Sequence, residues 1–310
     1  MSTFEFELAH RFGPTYHASR NERDYLAQLE PQLEPSLALA HPPWKPYVYF
    51  CVVELGASEG NRVYEINYLT IWDWDSGTVG RFGAHQWDTE RAALLIAGPE
   101  DTQDPEAYKV SQAYYAAHEG VKLGGLLSFD NSRYVRYPRG RERAPDVWWS
   151  KGKHASFPDR QALESSTARD SYDAPGDVTR PGIPGEATRP GEYSLVDAGA
   201  LEQPSAAAPW IAYNKRWGLH RVSSVYSKLK DRLWDAAGNT LRDIPIVTED
   251  EIRLAQSVLR VRESGQLDDE TLQRAADILP PRRVWTTQKI TRPEAKRLEA
   301  AHDIDVSPLL

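Results

Sequence analysis

The chain has 310 residues, and 45 Asp plus Glu against 37 Lys plus Arg give it a formal net charge of −8. With no basic excess to neutralise phosphates, general nucleic-acid binding is excluded and simple electrostatic adhesion to anionic lipid is disfavoured. Cys51, the only cysteine, rules out an intrachain disulfide and a thiolate zinc cluster and suits a reducing, cytoplasmic setting, while 10 Trp and 15 Tyr can supply a sizeable core.

The opening Met1-Ser-Thr-Phe-Glu-Phe-Glu-Leu8 is acidic where a secretory signal needs positive charge, so a soluble protein without a leader is expected. No apolar run approaches the ~20 residues of a transmembrane helix. Residues 1–46 contain Pro31, Pro35, Pro42, Pro43 and Pro46, which predicts a loop-rich start with little regular sheet.

Tyr47 to Leu55 is apolar on both faces and reads as a central strand. From Tyr64 to Trp74 the pattern alternates, with Glu65, Asn67, Leu69, Ile71 and Asp73 on one face and Tyr64, Ile66, Tyr68, Thr70 and Trp72 on the other. Asp73 and Asp75 close this strand just before a Ser-Gly turn.

The stretch Gly83-Ala-His-Gln-Trp-Asp-Thr-Glu-Arg-Ala-Ala-Leu-Leu-Ile96 runs an acidic, histidine-bearing head into an apolar strand. With Trp87 to Ala97 as a strand, Asp88 and Glu90 share the face of Ala92, Leu94 and Ile96, their Cα atoms about 6.5 to 7 Å apart. Two carboxylates so close in a partly dry place need a positive partner. His85, three residues before Asp88, is off the two-residue period, so a turn or bulge has to bring its ring round. Either a divalent ion held by Asp, Glu and His supplies the charge, or an arginine does, with Arg91, Arg133 and Arg136 as candidates.

Further on, Val110 to His118 reads as a strand with His118 at its end on the Tyr114 face, and Trp148-Trp149 forms a short strand leaving through a Gly152 turn that delivers His154. Residues 165–208 hold two Thr-Arg-Pro-Gly copies and read as a long irregular loop, a flap or a solvated surface. Asp170 within it receives no role. Trp210 to Trp217 reads as strand-like. After Gly218 the period changes: Thr248-Glu-Asp-Glu251 is a capping box, Asp268 starts a second helix, and Thr291-Arg-Pro-Glu294 caps a third. The expected organisation is a β domain over residues 1–218 and a helical extension over 219–310, its charged faces turned to solvent, to a partner or to a second copy. A Gly-x-Gly-x-x-Gly motif, a P-loop and a Gly-x-Ser-x-Gly motif are all missing.

The pieces Leu8-Ala-His-Arg-Phe-Gly-Pro14, Glu22 near Tyr25, the strand ending at Asp75, Gly83 to Glu90, Tyr114-Tyr-Ala-Ala-His-Glu-Gly120, Gly152-Lys-His-Ala-Ser-Phe-Pro158 and Tyr213 to Gly218 stand in the order found in a known family. Over residues 7–218 the chain resembles proteins related to vacuolar protein sorting protein sixty-two. Thr89 stands where that family's signature carries Trp, and Trp87 precedes the aspartate instead. The same patch resembles, more distantly, the histidine-rich heptad of the necrosis- and ethylene-inducing cytolysins, with one histidine replaced by Trp87. That resemblance implies a β-sandwich and a divalent cation surrounded by Asp75 (or Asp73), His85, Asp88, Glu90 and His118, with His154 completing the set.

The fold expected from these readings is mainly β, an antiparallel β-sandwich with a C-terminal α-helical extension. The implied cofactor is Mg²⁺, Ca²⁺, Mn²⁺ or Zn²⁺. One functional reading is a hydrolase-type enzyme acting on a small-molecule, ester or glycan-like substrate, with Glu90, His118 or His154 moving the proton. Another is a non-catalytic binder of a glycan or lipid headgroup, gripped by the cation and by tryptophans among Trp72, Trp74, Trp87, Trp148 and Trp149, of which Trp74, Trp87 and Trp149 are the chosen contacts. A trafficking or assembly protein using the helical tail is a third.

Overall fold

A computed structural model of the protein describes residues 2–22, 47–76, 84–166, 168, 170–184, 189, 191–215, 217, 224–244, 247–279, 285–286 and 289–309. The prolines between 31 and 46, Tyr25, Gly83 and Gly218 lie outside the described residues.

The expected loop-rich start instead opens with helix α1 (Thr3–Arg11), because Ser2 and Glu5 form a reciprocal capping box, and continues into strand β1 (Tyr16–Ser19). Strands β2 (Tyr47–Ser58), β3 (Asn61–Asp75), β4 (His85–Pro99) and β5 (Lys109–Tyr115) then form an antiparallel block, with β8 (Arg133–Arg141) on its outer side. The remaining strands of this sheet are β9 (Val147–Trp149), β10 (Ser156–Phe157), β11 (Pro175–Pro181) and β12 (Glu192–Asp197).

The strand order is β10-β9-β1-β11-β12-β2-β3-β4-β5-β8. It corrects the antiparallel sandwich: β1 runs parallel to β9, β11 to β12 and β12 to β2, so one mixed sheet replaces two antiparallel ones. Side-chain alternation reports which face a residue occupies and says nothing about the direction of the neighbouring strand. The stretch expected to be an irregular loop supplies both β11 and β12, with prolines at the ends of β11, where a missing amide is tolerated.

The sheet curls on itself. Ser156 of β10 donates its backbone N–H to Ala116, just past β5, over 3.0 Å, although their strands stand near opposite ends of the order. Inside the curl, Tyr16, Phe50, Tyr64, Ile66, Tyr68, Trp72, Leu94 and Trp149 pack with α1 through Phe4 and Leu8. The alternation expected for β3 holds, because Leu69 and Ile71 join Tyr49, Cys51, Trp87 and Trp210 in a separate cluster. Burial of Cys51 there pushes its thiol up to about 12.

Trp210 lies in a 3-10 turn, Pro209–Ala212, and not in a strand; Pro209 is already set for the first turn of a helix. Short helix α2 (Arg160–Glu164) follows β10, α3 (Val225–Leu229) comes after the 3-10 turn, and α4 (Glu249–Leu259), α5 (Asp269–Ile278) and α6 (Arg292–His302) begin at the caps expected from the sequence. These last three helices pack on Leu123, Leu127 and Phe129, from the region of hairpin β6 (Lys122–Leu123) and β7 (Leu127–Ser128). That hairpin also pairs with β13 (Trp285–Thr286). No helix among the described residues is long and apolar enough to cross a membrane.

Candidate metal centre

The antiparallel register of β3 and β4 places Asp75 opposite His85 and Trp72 opposite Asp88. In a regular strand His85 and Asp88 would point to opposite faces. Trp87 breaks the alternation with φ +65°, a left-handed conformation that is costly for a bulky side chain and persists here because the indole is buried against the core. One donor atom from each of Asp75, His85 and Asp88 then falls within 4.8 Å of the others, with His85 Nε2 3.8 Å from Asp75 Oδ2. The local irregularity expected from the off-period histidine is this one residue.

A loop from the far end of the sheet closes over Asp88. Gly152 takes φ +68° and its carbonyl accepts the N–H of Ser76 over 2.6 Å, while a Cβ on Gly152 would stand 3.1 Å from that of Ser76. His154 follows, also left-handed at φ +56°, and its Nδ1 lies 3.1 Å from Asp88 Oδ2. Its ring stacks on Trp72 with centroids 3.9 Å apart, and its Nε2 lies 3.8 Å from Glu22 Oε1. Glu22 is in turn fixed by the backbone N–H of Gly152 at 2.8 Å.

Burial alone would lower the His154 imidazolium, but its hydrogen bond to Asp88 and the nearby carboxylate of Glu22 outweigh that and hold it near a pKa of about 10. For Asp88, burial would raise the carboxyl, and the hydrogen bond and charge of His154, with His85 and Lys228 adding, pull it below its ordinary value. Glu90 is the opposite case: burial dominates and raises it well, Asp88 and Glu119 add to the rise, and Lys228 only partly offsets it. Lys228 of α3 lies 3.8 Å from Glu90 Oε1 and donates to the carbonyl of Thr89, while Glu90 Oε2 has no hydrogen-bond partner.

Asp75, His85 and Asp88 therefore converge as expected. Glu90 heads the same buried face but meets Lys228. His118 does not join them: its Nε2 lies 2.9 Å from Asp170 Oδ2, and Ser166 and Lys153 also point at that carboxylate. Burial would raise Asp170, but the charges of His118 and Lys153 hold it well below the usual carboxylate range. His154 borders the group through Asp88.

Among the expected ligand contacts, Trp87 and Trp149 are 1% and 2% exposed and cannot stack on a ligand; Trp149 lies flat on Tyr16 and edge-on to Trp72. Trp74, at 38%, keeps an exposed ring. The arginines weighed as alternative partners lie elsewhere. Arg91 binds Glu119 and Asn67, and Arg133 and Arg136 are on β8, two strands from β4.

Glu22, Lys228 and Asp170 are the contributors that sequence reading missed. Each comes from a segment distant in sequence from its partner, and no local pattern marks it. Gly152, read only as a turn, gave the nearest signal.

No family model matches the chain and no curated protein does, so the resemblance to the vacuolar sorting family gains no support. Solved structures similar to the chain include "NLPPya in complex with glucosamine", at 14% identity over 74% of this chain and 90% of that one, TM-score 0.36. "NLPPya in complex with mannosamine" is 17% identical over 67% and 78%, TM-score 0.33, and the non-toxic HaNLP3 protein 15% over 53% and 82%, TM-score 0.27. At these scores the likeness carries no chemistry to this chain.

Proposed function

We propose that the end of the β3–β4 pair is a divalent-cation site and that the chain is a cation-dependent binding protein for an oxygen-rich ligand, a glycan or a polar headgroup. The observation that carries this reading is the convergence of Asp75, His85 and Asp88, two carboxylates and one imidazole from paired strands. Their spacing suits one ion with bonds of about 2.0 to 2.6 Å, and the donor set suits Mg²⁺, Ca²⁺ or Mn²⁺, with Zn²⁺ as the choice if the imidazole dominates. His85 Nδ1 is buried without a hydrogen-bond partner, so the ring is free to orient through Nε2. The bound ion would supply a Lewis-acidic point for ligand hydroxyl or carboxylate oxygens, and the exposed Trp74 ring close by would cover an apolar ligand face.

A hydrolase-type reaction finds less support. Of the three expected proton carriers, His154 is fully buried with a carboxylate at each ring nitrogen, Asp88 at Nδ1 and Glu22 near Nε2, Glu90 is buried beside Lys228, and His118 lies apart from the Asp75, His85 and Asp88 group on Asp170.

Calorimetric titration with Ca²⁺ and Mn²⁺, with elemental analysis of the purified protein, tests the site. Wild type should take up one equivalent, and Asp75→Asn and Asp88→Asn should each weaken it more than ~10-fold, since even outer partners of a metal ligand are worth that much. Binding that survives both substitutions, or none at all, discards the site. Retention on a glycan or lipid array that is lost in EDTA tests the ligand class.

A further inference from the structure

Strand β8 ends the sheet, and among the described residues β5 is its only strand neighbour. Its sequence, with the two residues after it, is Arg133-Tyr-Val-Arg-Tyr-Pro-Arg-Gly-Arg-Glu-Arg143, five arginines in eleven residues of a chain whose net charge is −8. Arg136, Arg139, Arg141 and Arg143 are exposed and Arg133 is half-buried. Not one of the five makes an ion pair among the described residues, and their number in so short a stretch is what sets them apart. Arg141 lies over the Tyr137 ring, 5.1 Å from its centroid.

The strand has two parts. From Arg133 to Arg136 it pairs regularly with Tyr115 to Gln112, and its other edge makes no backbone hydrogen bond to another element among the described residues. Past Tyr137, the missing amide of Pro138, a register shift and the left-handed Gly140 (φ +66°) interrupt the pairing, which returns at Arg141 opposite Val110, and Arg143 follows the end of the strand. At about 3.3 Å per residue the arginines span roughly 30 Å.

A single edge charge suffices to keep sheets from pairing edge to edge, and Lys is the usual choice. Five arginines along one edge strand and its end exceed that purpose, and guanidinium forks match carboxylates bidentately. Self-pairing through this edge would set arginines against arginines. We infer that β8 is a docking edge for an acidic, extended peptide segment of a partner, which adds as a strand along Arg133–Tyr137 and pairs its carboxylates with Arg136, Arg139, Arg141 and Arg143. The unpaired backbone favours a peptide over a lipid surface or RNA, because only a peptide uses both the edge and the charges.

The test measures fluorescence anisotropy of a labelled peptide of alternating Glu and Val, about twelve residues long so as to span the strand, against the full chain. A second peptide of the same charge is N-methylated at alternate amides. The expected result is saturable binding, weakened at least tenfold by N-methylation and at least tenfold by the triple variant Arg136→Gln, Arg139→Gln, Arg141→Gln. These positions are exposed, and circular dichroism of the triple variant should match wild type. Absence of binding, equal affinity for the N-methylated peptide, or tighter binding to phosphatidylserine vesicles or single-stranded RNA would each overturn the inference.

Discussion

His154 and Asp88, 66 residues apart in sequence, meet Nδ1 to Oδ2 at 3.1 Å inside a site where the imidazole is fully buried. The flat face of Trp72 lies under the ring and Glu22 stands at its other nitrogen, so position, tautomer and charge of this histidine are set by its surroundings. It aims Asp88 at His85 and Asp75, and acts as a fixed positive group.

Stability should depend on pH through this ring. Its pKa is about 10 in the folded chain against an ordinary 6.5, so its contribution is complete below about pH 6.5 and is lost as pH rises through about 10. The groups facing it are Asp88 from β4 and Glu22 beyond β1. Urea midpoints of wild type should fall steadily from pH 7 to 10, a loss of a few kcal/mol. In His154→Gln the slope over that window should flatten; an equal slope in both proteins would refute the assignment.

Gly152 is needed for its backbone angle and for its closeness to Ser76. Gly152→Ala should destabilise the fold by about 1 to 2 kcal/mol in urea titration. Because the same loop delivers His154 and fixes Glu22, the variant should also weaken cation uptake.

The His118–Asp170 pair gives a control of opposite kind. Asp170→Asn leaves His118 and Lys153 without their buried counter-charge and should cost about 3 kcal/mol. Cation affinity should stay within about threefold of wild type. A complete loss of cation uptake in a folded Asp170→Asn protein would restore His118 to the metal centre.

Trp74 carries the ligand-facing part of the proposal. Trp74 is 38% exposed, so Trp74→Ala also strips covered ring surface and should lower stability by about 1 to 3 kcal/mol without unfolding the chain. Retention on the glycan or headgroup that wild type prefers should drop severalfold, as expected for the loss of one stacking ring. Unchanged retention would move the ligand away from this face.

The β4 stretch shows how far sequence can be read. Asp88, Glu90 and the apolar residues behind them share a face, and the off-period His85 needed a local irregularity that Trp87 provides. Both follow from the geometry of one strand. What stayed hidden depends on contacts between distant segments: Lys228 against Glu90, Glu22 against His154 and Asp170 against His118. The parallel pairings around β11 and β12 were hidden for the same reason, since proline-rich sequence marks chain ends and turns but not which strand lies alongside. The helix caps at Thr248, Asp268 and Thr291 were legible because a cap is made within four residues.

Cys51 stands in β2, close to the middle of the curled sheet, and is the chain's one thiol. Raised to about 12 and closed off from solvent, it cannot react with iodoacetamide while the strand is in place. Alkylation of this single sulfur is therefore a built-in clock for opening of the central sheet, and its rate with and without added cation reads how firmly an ion at the β3–β4 end would hold β2, the strand beside β3.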